Sequence, residues 1–123
     1  MHYTLIISGR LDNLNDYITA CRTNQYKGAH LKAKNEQKVL AEIYEQLGRL
    51  RIRKPVRMTY RWYEKNRRRD LDNVSSFGRK VIQDALVQAH VLQNDGWKEI
   101  VGFSDEFYID AHNQRIEVEI EVI

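Results

Sequence analysis

With one cysteine, one proline and six glycines in 123 residues, the chain lacks the raw material for several protein classes. The lone Cys21 excludes an internal disulfide and fits a reducing compartment. Lying between Ile18 and Arg22 in an expected helix, it reads as a small buried hydrophobe rather than a nucleophile. The four histidines, at 2, 30, 90 and 112, have no zinc-ligand spacing among themselves or with Cys21. Glycine forms no phosphate-cradling loop of the Walker or Rossmann type, and no Gly-x-Ser-x-Gly elbow occurs. No apolar run approaches the ~20 residues of a membrane helix. The opening MHYTLIISGRLDN has neither a basic leader region nor a small-residue cleavage site, so no secretory signal is expected and the cytoplasm is the expected compartment. With Pro55 alone, no linker and no internal repeat, one domain over residues 1–123 is expected.

What is present is charge, unevenly distributed. The net charge is only +3, yet residues 51–69 hold nine Lys/Arg against the single acid Glu64. Residues 101–123 reverse this, with six acids against one arginine. Tyr60, Trp62 and Tyr63 interleave with the basic block, a mixture suited to phosphate backbones and exposed bases. The plainer alternative is a solvated strand with arginines on its wet face. The acidic tail reads as strand surface, or as a face that repels DNA.

Residues 3–8 read as a short buried strand ending at Gly9. Asp12 or Asn13 then caps a short helix carrying Leu14, Tyr17, Ile18 and Cys21 on one face. A second helix, starting somewhere in residues 30–36, carries Val39, Leu40, Ile43, Tyr44 and Leu47, with Gly48 as its C-terminal cap. After Pro55 the period becomes two: Val56, Met58, Tyr60 and Trp62 alternate with Arg57, Thr59, Arg61 and Tyr63. Ser75 or Ser76 is expected to cap a third helix with Phe77, Val81, Ile82, Ala85, Leu86 and Ala89 inward. Residues 99–109, with a break near Ser104–Glu106, and residues 115–122 read as closing strands, joined through 110–114 as a hairpin. The expected fold is α+β: a small mixed sheet with helices on one face. Four strands leave open edges and a modest core, which favours dimerisation.

The chemistry concentrates in RRRDLDN, residues 67–73. A metal-dependent phosphodiesterase needs two or three carboxylates around a hard cation, with a further cation for developing charge. On extended chain Asp70 and Asp72 point to one side, where they can share a metal ion. They can equally cap the following helix. Arg67, Arg68 and Arg69 would meet a phosphate brought there. Lys80 stands four residues before Asp84, the spacing of a surface ion pair, and Asp95 sits in an Asn-Asp-Gly turn.

This ordered set, RRRDLDN, Lys80 ahead of Asp84-Ala85-Leu86, and Asn94-Asp95, resembles the RusA family of Holliday-junction resolvases, small endodeoxyribonucleases of phages and prophages. The similarity is strongest over residues 67–95 and extends from about 56 to 122; Asn15-Asp16-Tyr17 adds the N-x-Y signature of some phage members. The resemblance implies a RusA-like homodimer in a bacterial or phage-infected cell. It would bind four-way DNA junctions and nick two strands symmetrically with Mg²⁺, or Mn²⁺ in its place. By position, Asp70, Asp72 and Asp95 match the metal-binding catalytic carboxylates and Lys80 the catalytic lysine. Arg57, Arg61, Arg67, Arg68 and Arg69 would bind DNA phosphates. Two readings compete: a non-catalytic phage nucleic-acid-binding protein, and a Mg²⁺-dependent nuclease of other branched DNA or RNA.

Two departures stand out. The interval from Asn73 to Lys80 is about four residues longer than in the best-known members, and Asn94 replaces the first of two paired acids. A continuous helix over 74–90 would be roughly 25 Å long, separating Asp72 from Asp95. Either 73–79 runs out as a loop, as Gly78 suggests, or Asp95 is supplied by a neighbouring chain.

Overall fold

In the computed structural model, which describes all 123 residues, the elements run β1 (His2–Ser8), α1 (Leu14–Thr23), α2 (Gln25–Gln46), β2 (Val56–Glu64), α3 (Leu71–Gln88), β3 (Ile100–Ile109) and β4 (Arg115–Val122). The strands form one mixed sheet in the order β1-β4-β2-β3. Alternation decides its two faces. Leu5 and Ile7 of β1, Val56, Met58, Tyr60 and Trp62 of β2, and Ile116, Val118 and Ile120 of β4 all point inward and are buried. Helices α2 and α3 supply the opposing layer through Val39, Ile43, Phe77, Val81, Ile82, Ala85 and Leu86, and α1 adds the partly buried Leu14 and Tyr17. No helix is long and apolar enough to cross a membrane.

Asn13 is the residue that starts α1, as its side chain accepts from Asp16 N while Asp16 reaches back to Asn13 N. Gly48, at φ 58°, follows the end of α2 in the left-handed conformation expected there. Helix α2 nevertheless begins at Gln25, well before residues 30–36, because Asn24 ends α1 and caps α2 by accepting from Tyr26 N and Lys27 N. The expectation that Cys21 is buried fails. It lies beside Gly28 at this tight helix junction, but its side chain is exposed.

Four further expectations are corrected. Helix α3 starts at Leu71, not after Ser75 or Ser76; the two hydroxyls instead donate back to Leu71 O and Asp72 O, four residues earlier. The 73–79 segment is helical, so the loop suggested by Gly78 does not exist. The glycine there instead permits close packing: a Cβ would lie 3.0 Å from the buried Trp62 ring, a tight contact. Residues 110–114 do not form a hairpin, because β4 lies between β1 and β2 while β3 pairs with β2 in parallel. Strand β3 is also unbroken through Ser104–Glu106.

β2, α3 and β3 therefore make a crossover unit, the connection that a parallel pair requires. The start of α3 lies beyond the C-terminal end of β2, and the chain returns along α3 to begin β3 at the opposite end of the sheet. This path governs where the candidate residues fall.

Candidate functional site

The turn between β2 and α3 is organised by an ion pair. Arg69 folds back on Glu64, its Nε and Nη2 each donating to one carboxylate oxygen at 2.8 Å. Gln114 Nε2 adds a third bond to Glu64 at 3.1 Å. Both charged side chains are only 13% exposed, so neither can exchange its partner for bulk water. Burial works to raise the Glu64 carboxyl pKa, but the Arg69 guanidinium outweighs it and holds the group below the usual carboxylate range. Arg69 Nη1 is buried without any hydrogen-bond partner, the one such side-chain atom in the protein.

Asn66 accepts from Arg68 N at 3.0 Å, tightening the same turn and leaving Lys65, Arg67 and Arg68 exposed. Lys65, Arg68 and Arg69 share an entirely polar cleft of about 450 Å³ with Arg10, Asn13 and Gln114. The only carboxylate in that cleft is Glu64, already held by Arg69. This lining suits an anion.

Asp70 and Asp72 stand at the start of α3, Asp70 as the residue before the first turn and Asp72 within it. They are thus not presented from extended chain, since the helix begins between them. Both are exposed, neither forms an ion pair, and Asp70 makes no side-chain capping bond. The partial positive charge of a helix N-terminus favours carboxylates here. Asn73 Oδ1 accepts from Asn15 N at 2.8 Å, while Tyr17 stacks on Phe77 with centroids 4.6 Å apart. The Asn15-Asp16-Tyr17 motif therefore fastens α1 to the first turns of α3.

Lys80 and Asp95 meet elsewhere. Lys80 Nζ bonds Asp84 Oδ1 at 3.0 Å and Asp95 Oδ2 at 3.2 Å, and Lys32 binds the other oxygen of Asp84 at 2.8 Å. Hydrogen bonds to Asp84 and then Asp95 raise the Lys80 pKa, so it is a cation rather than a general base. Burial alone would raise the Asp84 carboxyl; the Lys32 and Lys80 ammonium groups bring it below its ordinary value. Lys80 follows Asp72 by eight residues of unbroken helix, about 12 Å along the axis. No group of three or more His, Cys, Asp or Glu side chains converges within the chain.

The donor set can be tested against a hard divalent cation. Asp70 and Asp72 are anionic oxygen ligands free of competing partners, which suits Mg²⁺. A single chain supplies only these two at that place; the third carboxylate, Asp95, is held by Lys80 two turns further along α3.

The arginines separate into distinct environments. Arg67 and Arg68 are exposed beside Asp70. Arg57 and Arg61 lie on the sheet face opposite the helices, where Arg61 binds both Glu106 at 3.0 Å and Glu119 at 2.9 Å. Glu119 also receives His2, and Glu117 receives Arg115, so the acidic tail largely neutralises that face. Sequence reasoning passed over Glu64, Arg10, Lys65 and Asp105. Asp105 accepts from Trp62 Nε1 at 2.9 Å and pairs with Arg79, which covers the Phe103 ring at 4.6 Å. The available signal for Asp105 was its place on the inward face of β3.

No curated protein compared with the chain matches it. A family model described as "Endodeoxyribonuclease RusA" matches residues 9–121. That match takes in β2, the arginine turn, all of α3 and the Asp95 turn: the chain belongs to the RusA family of endodeoxyribonucleases.

Proposed function

We propose that this endodeoxyribonuclease resolves four-way DNA junctions as a homodimer, by paired symmetric nicks that depend on Mg²⁺ or, in its place, Mn²⁺. The observation that carries the dimeric form of this reading is the division of the candidate residues. Asp70 and Asp72 stand at one end of an unbroken α3, and Lys80 with Asp95 two turns along it. A two-fold axis that runs two α3 helices antiparallel brings the first pair of one protomer beside the second pair of the other. Each dimer then holds two complete sites, matching the two-fold symmetry of a four-way junction.

In this arrangement Asp70 and Asp72 from one protomer and Asp95 from the second hold the cation. Bound there, Mg²⁺ would polarise the scissile phosphate and promote ionisation of attacking water. Lys80, kept protonated by its carboxylate partners, offsets charge developing on the phosphate oxygens. Arg67 and Arg68, with Lys65 and Arg10 of the polar cleft, bind flanking phosphates. Arg69, fixed by Glu64, adds its charge to the wall of the same cleft. Arg57 and Arg61 contribute a weaker, longer-range attraction from the other sheet face, because acids already occupy Arg61.

The test is incubation with labelled four-way junction, linear duplex and single strand, each with Mg²⁺ or chelator. Symmetric nicking of the junction alone is expected. Binding without cleavage under every metal condition would sink the proposal in favour of a non-catalytic binding protein, and cleavage of flaps or RNA would redirect the substrate. Asp72→Asn should bind junctions and fail to cut them; retained cleavage removes Asp72 from the chemistry.

A further inference from the structure

Some cations of this chain have no carboxylate to hold them. Arg61, Arg69, Arg79 and Arg115 are each bound by acids. Arg51, Arg53, Lys54 and Lys98 are exposed and form no ion pair. They gather where the chain enters β2, at the end of the sheet opposite the arginine turn. Arg53 and Lys54 stand between two hollows. One, of about 530 Å³, is also lined by Arg51, Tyr3 and Val122; the other, of about 280 Å³, by Lys98, Gln93 and Glu99. Across both hollows four cationic side chains meet one acid, Glu99, whose Oε1 already accepts from Gly96 N at 3.2 Å. The chain ends, Met1 and Ile123, add one charge of each sign. Arg49 does not enter this balance, because Glu45 stands four residues before it.

The segment carrying these charges is fastened at both ends. Ile52 is 7% exposed, and its N–H donates to Val91 O at 2.8 Å. Beyond it, Pro55 O accepts from Ile123 N at 2.9 Å, and Val56 N donates to Glu99 O at 2.8 Å. With Ile52 turned inward, the alternation of extended backbone turns Arg51 and Arg53 outward together. Arg51 Nη1 donates to Leu50 O and Ala89 O, at 3.1 and 3.2 Å, which fixes the guanidinium and leaves its other nitrogens free. A set of cations spread over two hollows on a fixed backbone suits a repeating anion, which is what a nucleic-acid strand presents.

The distance to the arginine turn sets how much of that strand is spanned. β2 runs from Val56 to Glu64, eight steps of about 3.3 Å, or roughly 26 Å. Side chains at either end reach outward, toward the ~34 Å repeat of B-DNA. At about 3.4 Å per base pair, this is about 8–10 base pairs. We propose that Arg51, Arg53, Lys54 and Lys98 form a second DNA site, which binds the phosphates of a duplex arm about 8–10 base pairs from those held by Arg67 and Arg68. The proposal rests on the junction reading above only in taking that duplex to be a junction arm. The two ends of β2 then hold one arm along its length, which sets the arm's direction relative to Asp70 and Asp72 at the start of α3.

The double variant Arg53→Ala, Lys54→Ala tests this on four-way junctions carrying neutral methylphosphonate linkages at chosen positions. Losing two phosphate contacts should lower the salt slope of binding by about 1.8. If those contacts contribute nothing at about 1 M salt, affinity at about 0.1 M should fall about 60-fold. Neutral linkages about 8–10 base pairs from the crossover should weaken the wild type and leave the double variant's affinity where it is. Linkages within about 3 base pairs should weaken both proteins alike. Lys98→Ala, in a separate turn, should repeat the pattern with a slope change of about 0.9. Circular dichroism should match the wild type, since all three side chains are exposed. An unchanged salt slope overturns the site, and so do losses from the variant and the distal linkages that simply add. The same titration on linear duplex separates this proposal from the junction reading. A wild type blind to branching, with a slope that still drops in the double variant, sinks the junction reading and leaves the site standing; junction cutting with an unaltered slope does the reverse. A larger loss on single strands than on duplex overturns the duplex arm in favour of single-stranded DNA. If the double variant misfolds, Lys98→Ala with the distal linkages decides alone.

Discussion

Mixing two inactive variants provides a direct test of where Asp95 acts. Asp72→Asn disables the carboxylate pair at the start of α3, and Asp95→Asn disables the acid bound to Lys80. Each homodimer alone should lose about 100-fold or more of its cleavage rate, the usual scale for removing one electrostatic element of a catalytic site. Continuous helix places Lys80, the partner of Asp95, about 12 Å from Asp72 along α3 within a chain, so in the proposed dimer each active site draws on both protomers. In a heterodimer of the two variants, one site combines intact Asp72 with intact Asp95, and the other carries both substitutions. Equal mixing makes half the dimers heterodimeric, so about one quarter of all sites recover. The recovered activity should consist of single nicks, because each heterodimer has one working centre. The assay is a supercoiled cruciform plasmid: isolated single nicks give open circles, whereas coordinated pairs give linear product. Exchange is verified by isolating heterodimers carrying two different tags. Verified heterodimers that cut no faster than either parent would refute the shared site and require a rearrangement bringing Asp95 to Asp72 within one chain.

Three other perturbations follow from the packing and electrostatics. Glu64→Ala leaves the Arg69 guanidinium 13% exposed and without a carboxylate, so stability should fall by about 3 kcal/mol; a melting temperature within 2 °C of wild type, roughly 0.5 kcal/mol, would show the pair to be dispensable. The Glu64 and Asp84 carboxyls both have depressed folded pKa values, so they add stability above the ordinary carboxylate range and lose it as pH falls through the folded values. Thermal melts should hardly change from about pH 7 to 5 and drop below about pH 4, with a shallower drop in a Glu64→Gln, Asp84→Asn variant. Gly78→Ala gains about 1 kcal/mol of helix propensity but forces a Cβ to 3.0 Å from Trp62, at an overpacking cost of ~1–3 kcal/mol. Denaturant titration should therefore show net destabilisation, and a more stable variant would contradict the packing argument. Finally, Arg67→Ala and Arg68→Ala should each reduce the salt slope of junction binding by about 0.9, whereas Arg61→Ala, whose guanidinium already faces two glutamates, should reduce it less.

Much of the fold was legible because burial imposes a period. β2 alternates without error from Val56 to Trp62, and the inward side of α3 recurs from Phe77 to Ala89 as a helix requires. The errors arise where several local signals agree on different boundaries. Ser75 and Ser76 are good caps, but Val74 and Phe77 already belong to the buried stripe, which carries the helix back to Asp70. Gly78 resembles a helix breaker until the Trp62 ring is placed against it. Strand order is less accessible still. A short 110–114 segment favours a hairpin locally, whereas pairing β4 with both β1 and β2 buries Ile116, Val118 and Ile120 at the centre of the sheet. At the site, residue types were readable from RRRDLDN, Lys80 and Asp95, but their distribution was not. That distribution depends on whether α3 is continuous, and the buried stripe from Val74 to Leu86 shows that it is. The Glu64–Arg69 pair spans an irregular turn, where no periodicity records it.

The unbroken α3 also constrains which changes of length the enzyme can accept. Four residues add about 6 Å and only some 40° of rotation, so a four-residue insertion between Asn73 and Lys80 keeps the lysine on nearly the same side of the helix. It moves the lysine and its acid partner outward from the carboxylate pair, as one added turn of a screw. An insertion of two residues would rotate Lys80 by about 200° toward the side that carries Val81 and Ile82 inward. Viable relatives should therefore differ here by whole turns, and in the proposed dimer each added turn should widen the distance between the two phosphates to be cut.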